Sequence, residues 1–398
     1  MRLRQAISSF LIFLLSTFAL AVDVALDGTH YLLRWGEREP VEDDLVKPYP
    51  PPIWANGYAA CFKKGSQITL RLIRRQGDPE VQGWKVLYAE LRSKVTGEVY
   101  WKHGEGRMLG PDETYSLGSV PEFIEWAELR GSVIMMVGPP SEPEPGGSET
   151  SLTIDRITEI FVVLDEPKAP MNPAWVSVLR ISCQWARGET TPDGAANTLT
   201  QRLWDEGEYN GGYLAYTRYI CTSPGNIEWN IGEVFYLKAF INRYNLTGKP
   251  TGQCNDFADF LVCLITSVGA FQAAAQRTHP LGLGWWFHYR EIDPAGPLPP
   301  QESDWNYHQF CIYGSDVWDS CLAFVSGSPQ GVPKKLARDA VYYNGLVAYY
   351  HYGQWLPTPA NGFVPIVTAQ DLPPSPPPGY QEPACNRGCG GGGPLCTW

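Results

Sequence analysis

Cys254, His308 and Asp319 have the residue types, and the order along the chain, of a thiol nucleophile, a base and an orienting carboxylate. A thiolate can attack a carbonyl carbon and form a thioester. An imidazole within reach takes the thiol proton and hands it to the leaving amine. A carboxylate on the far side of the ring fixes the useful tautomer and stabilises the cation that forms.

Local sequence says how each is presented. After Cys254, the residues Phe257, Phe260, Leu261, Leu264, Ile265 and Val268 recur at helical spacing and form one apolar stripe. Pro250 and Gly252 break the chain just before them, which puts Cys254 at the start of the helix. The unpaired N–H groups and the helix dipole favour a negative charge there, and hence a thiolate. His308 to Tyr313 reads as a strand, Gly314, Ser315 and Asp316 as a turn, and Val317-Trp318-Asp319 as the start of a return strand. Such a hairpin brings a histidine on one strand beside an aspartate on the next.

These segments resemble the animal transglutaminases. Gly252-Gln253-Cys254-Asn255-Asp256-Phe257-Ala258 is similar to that family's Gly-Gln-Cys-Trp-Val-Phe-Ala, and Trp305-Asn306-Tyr307-His308 to its Trp-Asn-Phe-His. Trp229, Gly232, Val234 and Leu237 resemble its helix upstream of the cysteine. The resemblance covers roughly residues 225 to 325. Asn255 and Asp256 replace the family's Trp-Val, and Asp319-Ser320-Cys321 stands where Asp-Pro-Thr is usual. The resemblance implies a papain-like Cys-His-Asp fold and acyl transfer from a glutamine side chain. Animal members respond to calcium, but the acidic residues here form no recognisable site, and neither metal nor cofactor is expected.

Each role has competitors. His279 and His288 lie in a Gly/Pro/aromatic stretch that suits a cleft rim, as do Trp285 and Trp286. Asp316 competes with Asp319, although a turn favours Asp for backbone reasons. Cys263 reads as core. The backbone N–H of Cys254 is the natural first donor to an oxyanion. In the family a tryptophan supplies the second, and neither Trp229 nor another Trp matches that motif; Gln253, just before the thiol, is either a further candidate or structural only.

A formal net charge of −11 argues against nucleic acid or an anionic membrane surface as partner. An extracellular protein or peptide substrate is expected. Arg2 and Arg4, the apolar run Phe10 to Phe18 and the small-x-small Ala19-Leu20-Ala21 read as a signal peptide over residues 1–21. The run is too short for a stable membrane span. Ten cysteines fit an oxidising compartment. Cys311 and Cys321 flank the hairpin turn, either bridged or as two buried thiols. Asn245-Leu246-Thr247 is a glycosylation sequon.

The expected fold is α+β. Residues 22–168 alternate as short strands, including Gln67 to Leu72, Val86 to Leu91, Glu98 to Trp101 and Ser132 to Val137, which suggests an antiparallel β-sandwich, and the resemblance to animal transglutaminases implies an immunoglobulin-like one. Pro139 to Glu149 reads as an exposed loop, and Pro167, Pro170 and Pro173 mark a boundary. Residues 169–356 read as the transglutaminase-like domain. Trp175 to Trp185 suits strand or helix, while Ala195 to Trp204, Ile231 to Tyr244 and Arg338 to Tyr350 read as helices. Residues 357–398 form a Pro/Gly/Cys-rich tail carrying Cys385, Cys389 and Cys396, which lack a fourth ligand for zinc. Three functions follow: an exported transglutaminase-like enzyme, a cysteine peptidase or amidase with the same triad, or a non-catalytic surface or adhesion module.

Overall fold

The computed structural model describes residues 23–34, 52–74, 80–137, 150–206, 234–247, 251–252, 254–278, 286–294, 301–305, 308–324, 335–337, 347–351, 354–356 and 361–370, with residues 215–216, 230–231 and Tyr342. The signal peptide, the Pro139–Glu149 loop and the tail cysteines lie outside these residues. The chain is mixed α+β and strand-rich, and it divides into two compact units. The first comprises residues 1–30, 48–121 and 126–161. The second comprises residues 31–47, 122–125 and 162–398.

The first unit is built on two sheets. Strands β1 (Asp23–Asp27), β2 (Tyr58–Lys63), β3 (Gln67–Ile73), β4 (Val81–Ser93), β5 (Val99–His103), β6 (Tyr115–Ser119), β7 (Glu125–Val137) and β8 (Thr150–Val163) follow one another along the chain. One sheet has the order β1-β3-β6; the other runs His30–Tyr31, β2, β8, β7, β4, β5. β3 pairs antiparallel with β1 and β6, and β4 with β5 and β7. The alternation in sequence becomes alternation in burial. In β3, Ile68, Leu70 and Leu72 turn inward while Gln67 is exposed.

Among the described residues, the second unit contains four α-helices. These are α1 (Val176–Trp185), α2 (Pro192–Asp205), α3 (Leu237–Thr247) and α4 (Cys254–Ser267). The ambiguous stretch after Trp175 is thus helical. Thr191 caps α2 by accepting from the Gly194 N–H at 3.2 Å, with Pro192 following at the first helical turn. Two expected helices need correction. α3 starts at Leu237, not Ile231, because Ile231 and Val234 are paired as extended backbone. The C-terminal helix expected over Arg338 to Tyr350 is contradicted at its end, whereas Tyr342 lies in a helical turn and the rest of 338–346 falls outside the described residues. Val347–His351 is a strand paired with Trp286–Pro294, and Leu336–Ala337 is extended too. Valine and tyrosine favour extended backbone there, and Gly345 weakens a helix. Asn245 of the sequon falls within α3.

Strands β9 (Ala274–Thr278), β10 (His308–Tyr313), β11 (Asp316–Trp318), β12 (Leu336–Ala337) and β13 (Asn361–Phe363) form a sheet of order β12-β11-β10-β9-β13. α4 packs against β10, β9, α1 and α2. Every residue of α4 is buried, including Asn255, Asp256, Asp259, Thr266 and Ser267. The apolar stripe is therefore only part of a helix enclosed on all sides. Its polar residues turn to partners: Thr266 Oγ1 donates to the Val262 carbonyl at 2.6 Å, and the Ser267 and Ser182 hydroxyls meet at 2.9 Å.

α4 stops at a Schellman motif. The Gly269 N–H reaches the Thr266 carbonyl and the Ala270 N–H that of Ile265. Gly269 has φ +67°, and a Cβ there would lie 2.0 Å from the Asp165 carbonyl oxygen. Only glycine fits.

Six cysteines fall among the described residues: Cys61, Cys183, Cys254, Cys263, Cys311 and Cys321. All are buried thiols, so the hairpin flank is not bridged. Buried thiols pack as small apolar groups.

Candidate active site

Cys254 is the first residue of α4 and is 2% exposed. Asp256 lies in the same first turn. The core around the helix holds this start in place. Phe257, Phe260, Leu261 and Leu264 are each fully buried, contributing about 1.5–3 kcal/mol apiece.

His308 opens β10 opposite Thr278 of β9. The hairpin then turns through Gly314, at φ +58°, and Ser315, so that Asp316 pairs with Tyr313 and Cys311 with Trp318. Asp316 is thus a strand residue, and Asp319 follows immediately after β11. Continuing this register sets Asp319 opposite Phe310 and diagonal to His308 on the same face of the sheet. Their side chains meet: His308 Nε2 and Asp319 Oδ2 are 2.8 Å apart. The two residues are 0% and 3% exposed. Asp316 instead lies 3.7 Å from Lys335 Nζ. Of the two candidate aspartates, Asp319 is the one beside the histidine.

A carboxylate only accepts, so the ring N–H sits on Nε2. In the neutral ring, Nδ1 then carries the lone pair, on the edge turned away from Asp319. The carboxylate has further donors. The Cys321 N–H reaches Oδ1 at 2.9 Å, and the Tyr342 hydroxyl donates to Oδ2 at 2.6 Å. A buried carboxylate needs such donors to remain an anion.

The residue after His308 links this strand to the start of the helix. Gln309 Nε2 donates to Asp259 Oδ1 at 2.7 Å and contacts the Asn255 carbonyl at 3.4 Å, while its Oε1 accepts from Arg277 Nε at 3.0 Å. From the other side, Trp318 Nε1 donates to Asn197 Oδ1 of α2 at 3.0 Å. Cys321 connects the two halves electrostatically. Burial pushes its thiol well above the ordinary range, and the charges of Asp319, Cys254 and Asp256 push the same way. Cys321, Cys254, Asp256 and Asp319 are all buried.

Neither Tyr342 nor Gln309 stood out in the sequence. Tyr342 sits among several tyrosines, in a stretch whose pattern points to a helix. Gln309 follows His308 directly, and strand alternation signals only that it faces the opposite side. Of the other candidates, Trp286 and His288 lie in the strand Trp286–Pro294. His279, Trp285, Trp229 and Gln253 fall outside the described residues. Among the described residues, no group of three or more His, Cys, Asp or Glu could hold a metal ion.

No protein-family profile and no curated protein matches the chain. Among solved structures it is similar to the crystal structure of red sea bream transglutaminase, with a TM-score of 0.35 and 11% identity, over 67% of this chain and 47% of that one. It thus spans less than half of that structure's length. It is also similar to the extended catalytic domain of H. jecorina LPMO9A, also called EG4. There the TM-score is 0.18 and the identity 14%, over 37% of this chain and 75% of that one. Neither likeness is close enough to carry a conclusion about this chain.

Proposed function

We infer that the chain is an exported transglutaminase-like cysteine enzyme, in which a papain-like domain follows an immunoglobulin-like β domain. Cys254, His308 and Asp319 form its catalytic triad. One observation carries this reading: the buried 2.8 Å contact between His308 and Asp319, beside a buried helix that begins with Cys254.

In this reading the Cys254 proton passes to His308 Nδ1, and the thiolate attacks the carbonyl carbon of a glutamine side chain. The tetrahedral oxyanion collapses, the C–N bond breaks, and the proton on His308 leaves with ammonia. A primary amine then attacks the thioester and regenerates the thiol, or water does so and leaves glutamate. Asp319 holds the ring and its transient charge throughout. The N-terminal signal pattern supports export, and sequencing of the secreted protein from Val22 onward is the expected result.

The test supplies a glutamine-containing protein with and without a labelled primary amine. Ammonia release with amine incorporation is expected. Ammonia without incorporation makes the chain a deamidase, and peptide fragments without ammonia make it a peptidase. No turnover of any of these kinds, with the protein folded, makes it a non-catalytic module.

A further inference from the structure

We propose that Tyr342 is a positioning residue for the histidine–aspartate pair; this rests on the reading of Cys254, His308 and Asp319 as a triad. The Tyr342 hydroxyl donates at 2.6 Å to Asp319 Oδ2, the oxygen that also faces His308 Nε2 at 2.8 Å. Tyr342 is fully buried. Its ring packs against Phe310, centroids 4.8 Å apart, and Phe310 lies on the same strand face as His308, with those rings 5.9 Å apart. One ring, Phe310, thus packs against both the tyrosine that carries the hydroxyl and the imidazole.

The arrangement has a chemical purpose. A carboxylate with one donor can rotate about its Cβ–Cγ bond and present either oxygen to the ring. Here the Cys321 N–H holds Oδ1 at 2.9 Å, and Tyr342 holds Oδ2. The plane of the carboxylate is fixed from both ends, leaving one direction for the third donor, His308 Nε2. Such shared networks couple their members, so removing one hydroxyl changes the bond the others make. Tyr342 touches neither the thiol nor the substrate in this scheme. It acts through Asp319.

The experiment compares the wild-type chain with Tyr342→Phe, Asp319→Ala and the double variant. The first readout is the proton NMR signal of the His308 Nε2–H, downfield of the amide region, which needs no turnover. It is expected to shift in Tyr342→Phe and to be lost in Asp319→Ala. Site-specific fluorotyrosine at position 342, which keeps the hydroxyl and makes it a stronger donor, is expected to shift it the opposite way without disturbing the packing. The second readout is acyl-transfer kinetics. Tyr342→Phe is expected to lower kcat about tenfold, the loss of one hydrogen bond to a charged group, with KM unchanged. In the Asp319→Ala background it is expected to cost nothing more. An unmoved proton signal in both Tyr342 variants overturns the proposal, as does a kcat loss that adds in full to that of Asp319→Ala. Absence of wild-type turnover would defeat the triad reading, and the NMR comparison would then decide the positioning role alone.

Discussion

Gln309 Nε2 donates to Asp259 Oδ1 at 2.7 Å, and both side chains are fully buried. This bond joins the second residue of β10, next to His308, to the second turn of α4. Gln309→Ala would leave the Asp259 carboxylate short of a donor and Arg277 short of an acceptor. A loss of about 1–3 kcal/mol is expected in urea unfolding, because two buried polar groups each lose one hydrogen bond. An unchanged midpoint would mean that the bond contributes nothing to the junction.

Substitutions within the proposed triad should rank in a definite order. Cys254→Ala is expected to abolish acyl transfer and leave circular dichroism unchanged, since the thiol contributes little packing. His308→Ala should cost nearly as much, because members of such a unit do not contribute independently. Asp319→Ala should be milder than His308→Ala by roughly a hundredfold in kcat. It should also lower stability, because the Tyr342 hydroxyl and the Cys321 N–H lose their acceptor. Wild-type turnover in Cys254→Ala would end the cysteine-enzyme reading.

The buried thiols should make the fold sensitive to alkali. Cys61, Cys263, Cys311 and Cys321 are each held above the ordinary thiol value of 9.0, in every case first by burial. The charge of Asp259 adds to this at Cys263 and Cys311. Above a pH of about 9 the unfolded chain releases these protons and the folded chain keeps them. The unfolded state then binds fewer protons, so stability must fall as pH rises. The expected slope is roughly 1 kcal/mol per pH unit for each thiol. Unfolding free energies at pH 8 and pH 10 measure it, and equal values would show that these thiols ionise as readily in the fold as outside it.

Gly269→Ala tests the end of α4. The left-handed φ and the Asp165 carbonyl both oppose a side chain there. A loss of at least about 2 kcal/mol is expected, combining the strained backbone with a contact that forces a shift. Calorimetry would register it as a lower Tm. A stability gain, as found when alanine replaces glycine in an unstrained position, would contradict the geometry.

The parts of this site legible in the sequence were those with local signals. The apolar spacing after Cys254 and the break at Pro250-Thr251-Gly252 point to the helix start, and Gly314-Ser315 points to the hairpin. Asp319 was legible as well, because strand alternation and hairpin register limit what can face His308. Tyr342 was not. Its contact with Asp319 spans 23 residues of sequence and depends on tertiary packing that no period records. The stretch after it, from Val347, misled for a related reason. Apolar and aromatic residues in a short run suit either period, and the pairing of Val347–His351 with Trp286–Pro294 decided for the strand. The complete burial of Asn255, Asp256 and Asp259 was equally hidden, because polar residues on a helix normally mark its wet face.

That enclosure has a kinetic consequence. A helix with no exposed face offers water no route to its amides except through opening of the unit around it. The amides of α4 should therefore be among the slowest in the second unit to exchange with deuterium, and the helix should exchange as one body. A nucleophile at its head would then rest on the least yielding part of the unit. Any motion that admits a substrate to Cys254 would have to come from the segments that cover it, with the helix itself standing still.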